Sequence, residues 1–175
     1  IEGDVKACFD QIDHHFLMQR LRKRVADRKV NRLVVRFLKA GVLSEDQFLR
    51  TPSGTPQGGI ASPLLANIAL SAIEERYERW TNQRTKARKC RQCDGVRAAQ
   101  GARTTDRRRK RPVFFPIRYA DDFIVLVSGS REDAEAEKSE LGEYLASTLR
   151  LTLSPEKTKI TSLEDGFEFL GHRVR

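Results

Sequence analysis

The chain is poor in cysteine, in methionine and in long apolar runs. It holds three Cys, one Met and one Trp in 175 residues. Three cysteines make no disulfide framework, which fits a reducing intracellular setting. No apolar run approaches the ~20 residues of a membrane span, so no membrane partner is expected. No signal peptide is expected, and the sequence shows no internal repeat. The first residues are Ile1-Glu2-Gly3-Asp4, without an initiator Met, and read as the start of a piece cut from a longer protein.

What is present in quantity is charge. The hydrophobic fraction is 39%, the charged fraction 33%, and the net charge +9. Residues 84–111 contain twelve Lys or Arg and two Asp, a net of +10, so the remainder nets −1. A block of like charge suggests a polyanion partner. This stretch, within an insertion at about 81–112, has few apolar residues and little periodicity, and reads as a loop or partly disordered segment. Arg107, Arg108, Arg109, Lys110 and Arg111 are its candidate nucleic-acid contacts. Cys90 and Cys93 stand in a Cys-x-x-Cys pattern, but a structural zinc needs four ligands and no second Cys or His pair lies nearby.

Residues 1–9 read as a strand and its exit. Asp13 is placed to cap the helix that follows, with Phe16, Leu17, Leu21 and Val25 on helical spacing. Val30, Leu33, Val34, Phe37 and Leu38 mark a second amphipathic helix, ended by Gly41. The Lys and Arg residues of these two helices read as a solvated face. Val42-Leu43 and Phe48-Leu49 flank a hairpin turn. Gly54-Thr55-Pro56-Gln57-Gly58-Gly59 cannot continue a regular element. Ser62-Pro63 then opens a helix whose buried stripe is Leu65, Ile68, Ala69, Ala72, Ile73, Tyr77 and Trp80. A glycine-rich turn before a helix presents free N–H groups to phosphate. Near the other end, Ser130 and Asp133 form a capping box for a helix reaching about Leu149. Leu151 to Leu153, 158–161 and 167–174 are strand-like.

The stretch Arg118-Tyr119-Ala120-Asp121-Asp122-Phe123 organises the rest. Five apolar residues follow the acid pair and are rich in β-branched types, which reads as a buried strand. Phe114 to Tyr119 reads as its partner, with Asp121 and Asp122 at the hairpin tip. Neighbouring strand side chains point to opposite faces, so the two carboxylates diverge. The order of elements gives an α+β fold with helices on one face of an antiparallel sheet. It places Asp4 at one strand end and Asp121 at the adjoining tip. Carboxylates from separate strands can bridge two Mg²⁺ ions about 3.5–4 Å apart.

Four motifs in order resemble the palm of a group II intron reverse transcriptase, also called a maturase. They are Gly3-Asp4-Val5-Lys6-Ala7-Cys8-Phe9-Asp10, the Gly54–Gly59 loop, Tyr119-Ala120-Asp121-Asp122, and Leu153-Ser154-Pro155-Glu156-Lys157. Phe169-Leu170-Gly171 resembles the start of the family's primer grip. The resemblance implies a polymerase palm, catalytic Asp4, Asp121 and Asp122, and metal ligands Asp4, Val5, Asp121 and Asp122. Of the adjacent pair it makes Asp121 the firmer ligand. It implies nucleotide contacts at Val5, Phe9, Pro56, Gln57, Gly58 and Lys157, with Phe9 gating the sugar and Lys157 near the triphosphate. Two Mg²⁺ ions, an intron RNA template, a DNA primer or target and dNTPs follow from it, with a second copy of the chain as a further candidate partner. So does a cytoplasmic, bacterial setting, with nucleoid association during mobility. The alternatives are a maturase acting mainly in RNA splicing, and a retron, CRISPR-associated or diversity-generating reverse transcriptase. Cys8 stands where the family often has an aromatic, and fingers and thumb are expected outside this piece.

Overall fold

In a computed structural model the elements are, in chain order, β1 (Glu2–Asp4), α1 (Cys8–Gln11), α2 (His14–Arg22), α3 (Arg28–Lys39), β2 (Val42–Ser44), β3 (Gln47–Leu49), α4 (Ser62–Arg76), α5 (Gly95–Arg108), β4 (Val113–Tyr119), β5 (Asp122–Ser128), α6 (Arg131–Leu149), β6 (Phe167–Phe169) and β7 (His172–Val174). The structure describes residues 1–6, 8–40, 42–44, 47–49, 53–55, 60–81 and 95–175. The chain forms two compact units. The first comprises Ile1–Asp4, Glu74–Leu141 and Ser154–Arg175, and the second Val5–Ile73 and Gly142–Leu153. No helix among the described residues is long and apolar enough to cross a membrane.

The first unit is built on a three-stranded antiparallel sheet of order β1-β5-β4. The apolar run occupies the central strand, and Phe123, Ile124 and Val125 are buried there. Gly3 sits opposite Phe123 in the register. A Cβ at Gly3 would run into the Phe123 ring, so the glycine before Asp4 is what lets that ring pack under β1. Phe114 of β4 meets Tyr77 and Trp80, at ring-centroid distances of 6.0 and 5.3 Å. Tyr77 is fully buried, and its hydroxyl donates to Glu137 of α6 at 2.8 Å.

The expected caps are present. Asp13 Oδ1 accepts from His15 N and Phe16 N at 2.8 and 3.2 Å. Ser130 N donates to Asp133 Oδ2 at 2.8 Å while Asp133 N donates to Ser130 Oγ at 3.2 Å, a closed capping box. The expected hairpin of Val42-Leu43 with Phe48-Leu49 is the β2–β3 pair.

Several expectations are corrected. The basic stretch is not all loop: its second half is α5, and 82–94 lie outside the described residues. The helix was hidden because its packed residues are small or polar. Ala99 and Asp106, seven apart, are buried and share one face. Asp106 accepts from Arg79 Nε and Nη2 and from Trp80 Nε1, each at 3.0 Å. Arg103 Nη1 donates to Trp80 O at 2.9 Å. Cys8 and Phe9 lie on the short helix α1 rather than on a strand exit. Leu153 and Lys159 make isolated bridges to Val5 and Glu2 instead of extended strands. The final alternating stretch is a hairpin, β6–β7, turned by Leu170 and Gly171 at φ 52° and 76°. Positive φ at both positions is the geometry of a type I′ turn.

In the second unit Arg20 is buried on α2, donating to Ile68 O at 3.2 Å and to Ser71 Oγ at 3.1 Å, which ties α2 to α4. Of the expected α4 stripe, Leu65, Ala69, Ala72 and Ile73 are buried and Ile68 is half-buried, while Tyr77 and Trp80 lie beyond the helix end. Helix α3 forms where its periodicity places it, but its stripe is only partly covered: Leu38 is buried and Val34 and Phe37 half-buried, while Val30 is 44% and Leu33 67% exposed. Its buried residues are Asn31 and Leu38. Asn31 Nδ2 donates to Val25 O and Asp27 O, both at 2.8 Å, pinning the α2–α3 turn.

Candidate active site

The hairpin β4–β5 turns through Ala120 and Asp121, and Ala120 holds φ 55°. A left-handed alanine is unfavourable and needs support. Arg118 supplies it. Its Nη1 donates to Ala120 O at 2.7 Å, and its Nε donates to Glu74 Oε1 at 2.9 Å. The Arg118 side chain is only 8% exposed, so the clamp is held away from water. Sequence reasoning missed this residue, because its partner lies 44 positions earlier.

Asp122, the first residue of β5, stands directly opposite Asp4, the last residue of β1. Opposed residues of an antiparallel pair face the same side, with Cβ atoms about 4.5–5.5 Å apart. Asp121 lies in the turn between the strands, half-buried, whereas Asp122 is exposed. Desolvation, then the charges of Asp121 and Asp4, raise the Asp122 carboxyl above its usual range, against an opposing pull from Lys157.

Lys157 reaches this cluster from a turn strapped to β1. Glu2 and Lys159 exchange backbone bonds of 2.8 and 2.9 Å, and Ser154 N donates to Asp4 O at 2.9 Å. Thr158 N closes the turn onto Ser154 O at 2.9 Å, and Lys138 Nζ of α6 holds Thr158 O at 2.8 Å. At the turn's apex Lys157 Nζ lies 3.0 Å from Asp4 Oδ2. That hydrogen bond and the charge of Asp4, with Asp122 and Asp121 behind it, raise the Lys157 ammonium above its usual range.

The four residues Asp4, Asp121, Asp122 and Lys157 are thus brought together within the first unit. The carboxylate oxygens of the three aspartates are the hard donors that suit Mg²⁺. Among the described residues no three or more acidic, His or Cys side chains close around one point. Asp4 is turned to the ammonium of Lys157.

Of the other candidates, Val5 and Phe9 belong to the second unit. Val5 is buried in the second unit, bridged to Leu153, with Lys6 N donating to Thr152 O at 3.0 Å. Phe9 is half-buried on α1 of the same unit. The start of the glycine loop docks on that helix: Gly54 N donates to Ile12 O at 2.8 Å and Thr55 N to Phe9 O at 2.6 Å. Gly54 has φ 80°, and a Cβ there would strike the Phe9 and Asp10 backbone, so only glycine makes this approach. Pro56, Gln57 and Gly58 lie outside the described residues. Arg107, Arg108, Arg109, Lys110 and Arg111 are all exposed, at and beyond the end of α5 in the first unit.

Comparison with known proteins now bears on this geometry. Residues 1–174 match the family model described as reverse transcriptase (RNA-dependent DNA polymerase). The chain is 35% identical to the group II intron-encoded protein LtrA of Lactococcus lactis subsp. cremoris, covering 100% of this chain and 34% of that protein. It is 34% identical to protein YkfC of Escherichia coli K12, covering 99% of this chain and 46% of the other. The chain therefore spans a third to a half of these relatives. A solved structure of apo telomerase from Candida tropicalis, truncated from its C-terminal domain, aligns at TM-score 0.56 and 12% identity, over 97% of this chain and 32% of that one. That likeness speaks to the fold, a mixed arrangement of helices and antiparallel strands of polymerase-palm type. With the family model running through both the Asp4 strand and the Asp121-Asp122 hairpin, the chain belongs to the reverse transcriptase (RNA-dependent DNA polymerase) family.

Proposed function

We propose that the chain is the palm of a group II intron-encoded reverse transcriptase. The whole protein would copy intron RNA into DNA by joining dNTPs to a primer 3′-hydroxyl, and serve the splicing and mobility of that intron. The observation that carries the reading is the pairing of Asp4 with Asp122 across β1 and β5, with Asp121 in the turn between the strands and Lys157 at the same tip. The intron assignment is supported by LtrA, a protein named as group II intron-encoded, at 35% identity over the whole of this chain.

Asp4, Asp121 and Asp122 would hold two Mg²⁺ ions, with Val5 contributing from its backbone. Metal ions at such a site activate the attacking oxygen and stabilise the leaving one. Lys157, paired with Asp4 at 3.0 Å, would exchange that carboxylate for the triphosphate of the incoming nucleotide when Asp4 serves as a metal ligand. Phe9 is assigned to the sugar of that nucleotide, and Pro56, Gln57 and Gly58 to the nucleotide and template. Arg107 to Arg109, Lys110 and Arg111 are assigned to nucleic-acid phosphates.

The test uses the full-length protein with an RNA template annealed to a DNA primer. Templated extension with dNTPs, dependent on Mg²⁺ and lost with EDTA, is the expected result. Extension on DNA templates alone, or none on RNA, would remove the reading.

A further inference from the structure

Helices α2 and α3 carry a second concentration of positive charge. Residues 14–40 contain nine Lys or Arg and a single acid, Asp27. Asp27 is spent as a helix cap, accepting from Lys29 N at 2.6 Å and Val30 N at 3.3 Å. Of the nine cations only Arg20 is buried; Arg22, Lys23, Arg24, Arg28, Lys29, Arg32, Arg36 and Lys39 are exposed. Around the α2–α3 turn a cavity of about 510 Å³ is lined by Arg22, Val25, Ala26, Arg28, Asn31, Arg32 and Val35. Its three charged residues are guanidiniums, and no ion pair to an acid joins Arg22, Arg28 or Arg32 among the described residues. Arg28 and Arg32 are one turn apart, so their side chains rise side by side on one helix face.

This concavity has a definite shape and a mixed chemistry. Asn31, through its bonds to Val25 O and Asp27 O, and Asp27, through its cap, fix the turn that forms it. Val25, Ala26 and Val35 give it an apolar wall between the cations. Uncompensated guanidiniums beside an apolar wall suit a ligand with anionic groups spaced along a chain and flat faces between them. That is the chemistry of single-stranded nucleic acid, whose phosphates take the charge and whose bases stack on arginine planes or lie on apolar surface. We propose that the α2–α3 concavity is a binding site for single-stranded RNA, with phosphates at Arg22, Arg28 and Arg32 and a base against Val25, Ala26 and Val35. The choice of RNA over DNA rests on the RNA-directed reading above; the site itself rests on the local geometry.

The test is equilibrium binding of the full-length protein to a single-stranded RNA oligonucleotide, as a function of salt, beside the same sequence in DNA. For Arg22→Gln/Arg28→Gln/Arg32→Gln the log–log salt slope with RNA should fall by about two units, three phosphate contacts at about 0.7 each. Val35→Ala should weaken RNA binding severalfold at unchanged slope. A control, Lys29→Gln/Arg36→Gln/Lys39→Gln, removes as much charge from α3 outside the cavity and should lower the slope by less than one unit. Equal losses in the two triple variants would replace the site by a diffuse basic surface and overturn the proposal. So would an unchanged RNA slope, or a loss confined to DNA. Wild-type primer extension on RNA separates the two levels: if it proceeds while the cavity variants bind RNA as wild type does, only this inference falls.

Discussion

The carboxylates of the β4–β5 tip and the guanidiniums of the α2–α3 turn are both clusters of like charge, but the tip carries its own counter-ion. Lys157 closes on Asp4 at 3.0 Å, and Asp122 is left as the carboxyl raised by desolvation and then by the charges of Asp121 and Asp4. Among the described residues no acid pairs with Arg22, Arg28 or Arg32, and Asp27, the one acid of residues 14–40, already caps α3. A like-charge cluster costs stability and persists where something outside the fold repays it. On the proposed reading the tip would take a small, exchangeable cation, whose place Lys157 holds at 3.0 Å from Asp4. The concavity answers to an extended polyanion, for which no single side chain substitutes.

The largest expected effect comes from discharging the tip. In the full-length protein, Asp4→Asn, Asp121→Asn and Asp122→Asn should each lower primer extension by about 10²–10³-fold or more, while RNA affinity stays near wild type. If one of the three keeps near-normal synthesis, that residue leaves the catalytic set. Equal losses of synthesis and RNA binding would mean that tip and concavity are not separate functions.

Next comes the clamp. Arg118→Ala frees the Ala120 carbonyl and leaves Glu74 half-buried without its cation, so the turn carrying Asp121 relaxes. A displacement of about 1 Å at reacting groups can cost about 10²-fold, and kcat should fall on that scale. KM for the primer-template and RNA affinity should hold. Arg118→Lys can reach Glu74 or Ala120 but not both as the guanidinium does, and should recover part of the rate. A lowered Tm with kcat unchanged would reduce Arg118 to a structural residue.

A smaller effect, of the opposite sign in one readout, should follow Lys157→Gln. Removing the ammonium removes the competitor for Asp4, so half-maximal Mg²⁺ should fall. The triphosphate loses a cation at the same time, so KM for dNTP should rise. A Mg²⁺ requirement that rises instead would show that Lys157 organises the carboxylates rather than competing for them.

How much of this was legible in the sequence follows from the range of the interactions. The hairpin was legible because an apolar, β-branched run beside a turn is a local signal, and the caps at Asp13 and Ser130 span only three residues. Helix α5 was not, because Ala99 and Asp106 make a buried stripe without a hydrophobic pattern, and the value of Asp106 depends on Arg79 and Trp80. The β6–β7 turn was missed because Leu170-Gly171 lacks the usual Asn or Asp before Gly. The motif order pointed to Asp4, Asp121, Asp122 and Lys157 as site residues, but the Arg118–Glu74 clamp is visible only in three dimensions. The +8 of residues 14–40 reads from sequence as a solvated face, and a local charge pattern alone does not distinguish that from a binding surface.

The smallest effect is expected at the other basic stretch, and it sharpens what the concavity means. Arg107, Arg108, Arg109, Lys110 and Arg111 outnumber the three arginines of the cavity, yet they stand exposed at a helix end with no concave wall described around them. Each must lose its own side-chain freedom to meet a phosphate. Replacing all five with Ser should therefore lower the single-stranded RNA salt slope by about one unit, the yield of one or two contacts. That is less than the three cavity arginines yield, although more charge is removed. What orients this stretch is Asp106, which binds Arg79 and Trp80 and also accepts from Arg111 N through its backbone oxygen at 2.9 Å. Arg79, then Trp80, hold the Asp106 carboxyl below the usual carboxylate range. Its contribution to stability is thus complete at neutral pH and lost as pH falls below about 4. Asp106→Asn removes no positive charge, so a purely diffuse attraction predicts an RNA slope no smaller than wild type. If the helix end must be held in place to reach phosphates, Asp106→Asn should lower Tm and the salt slope together, and at neutral pH the slope should approach that of the five-fold Ser variant.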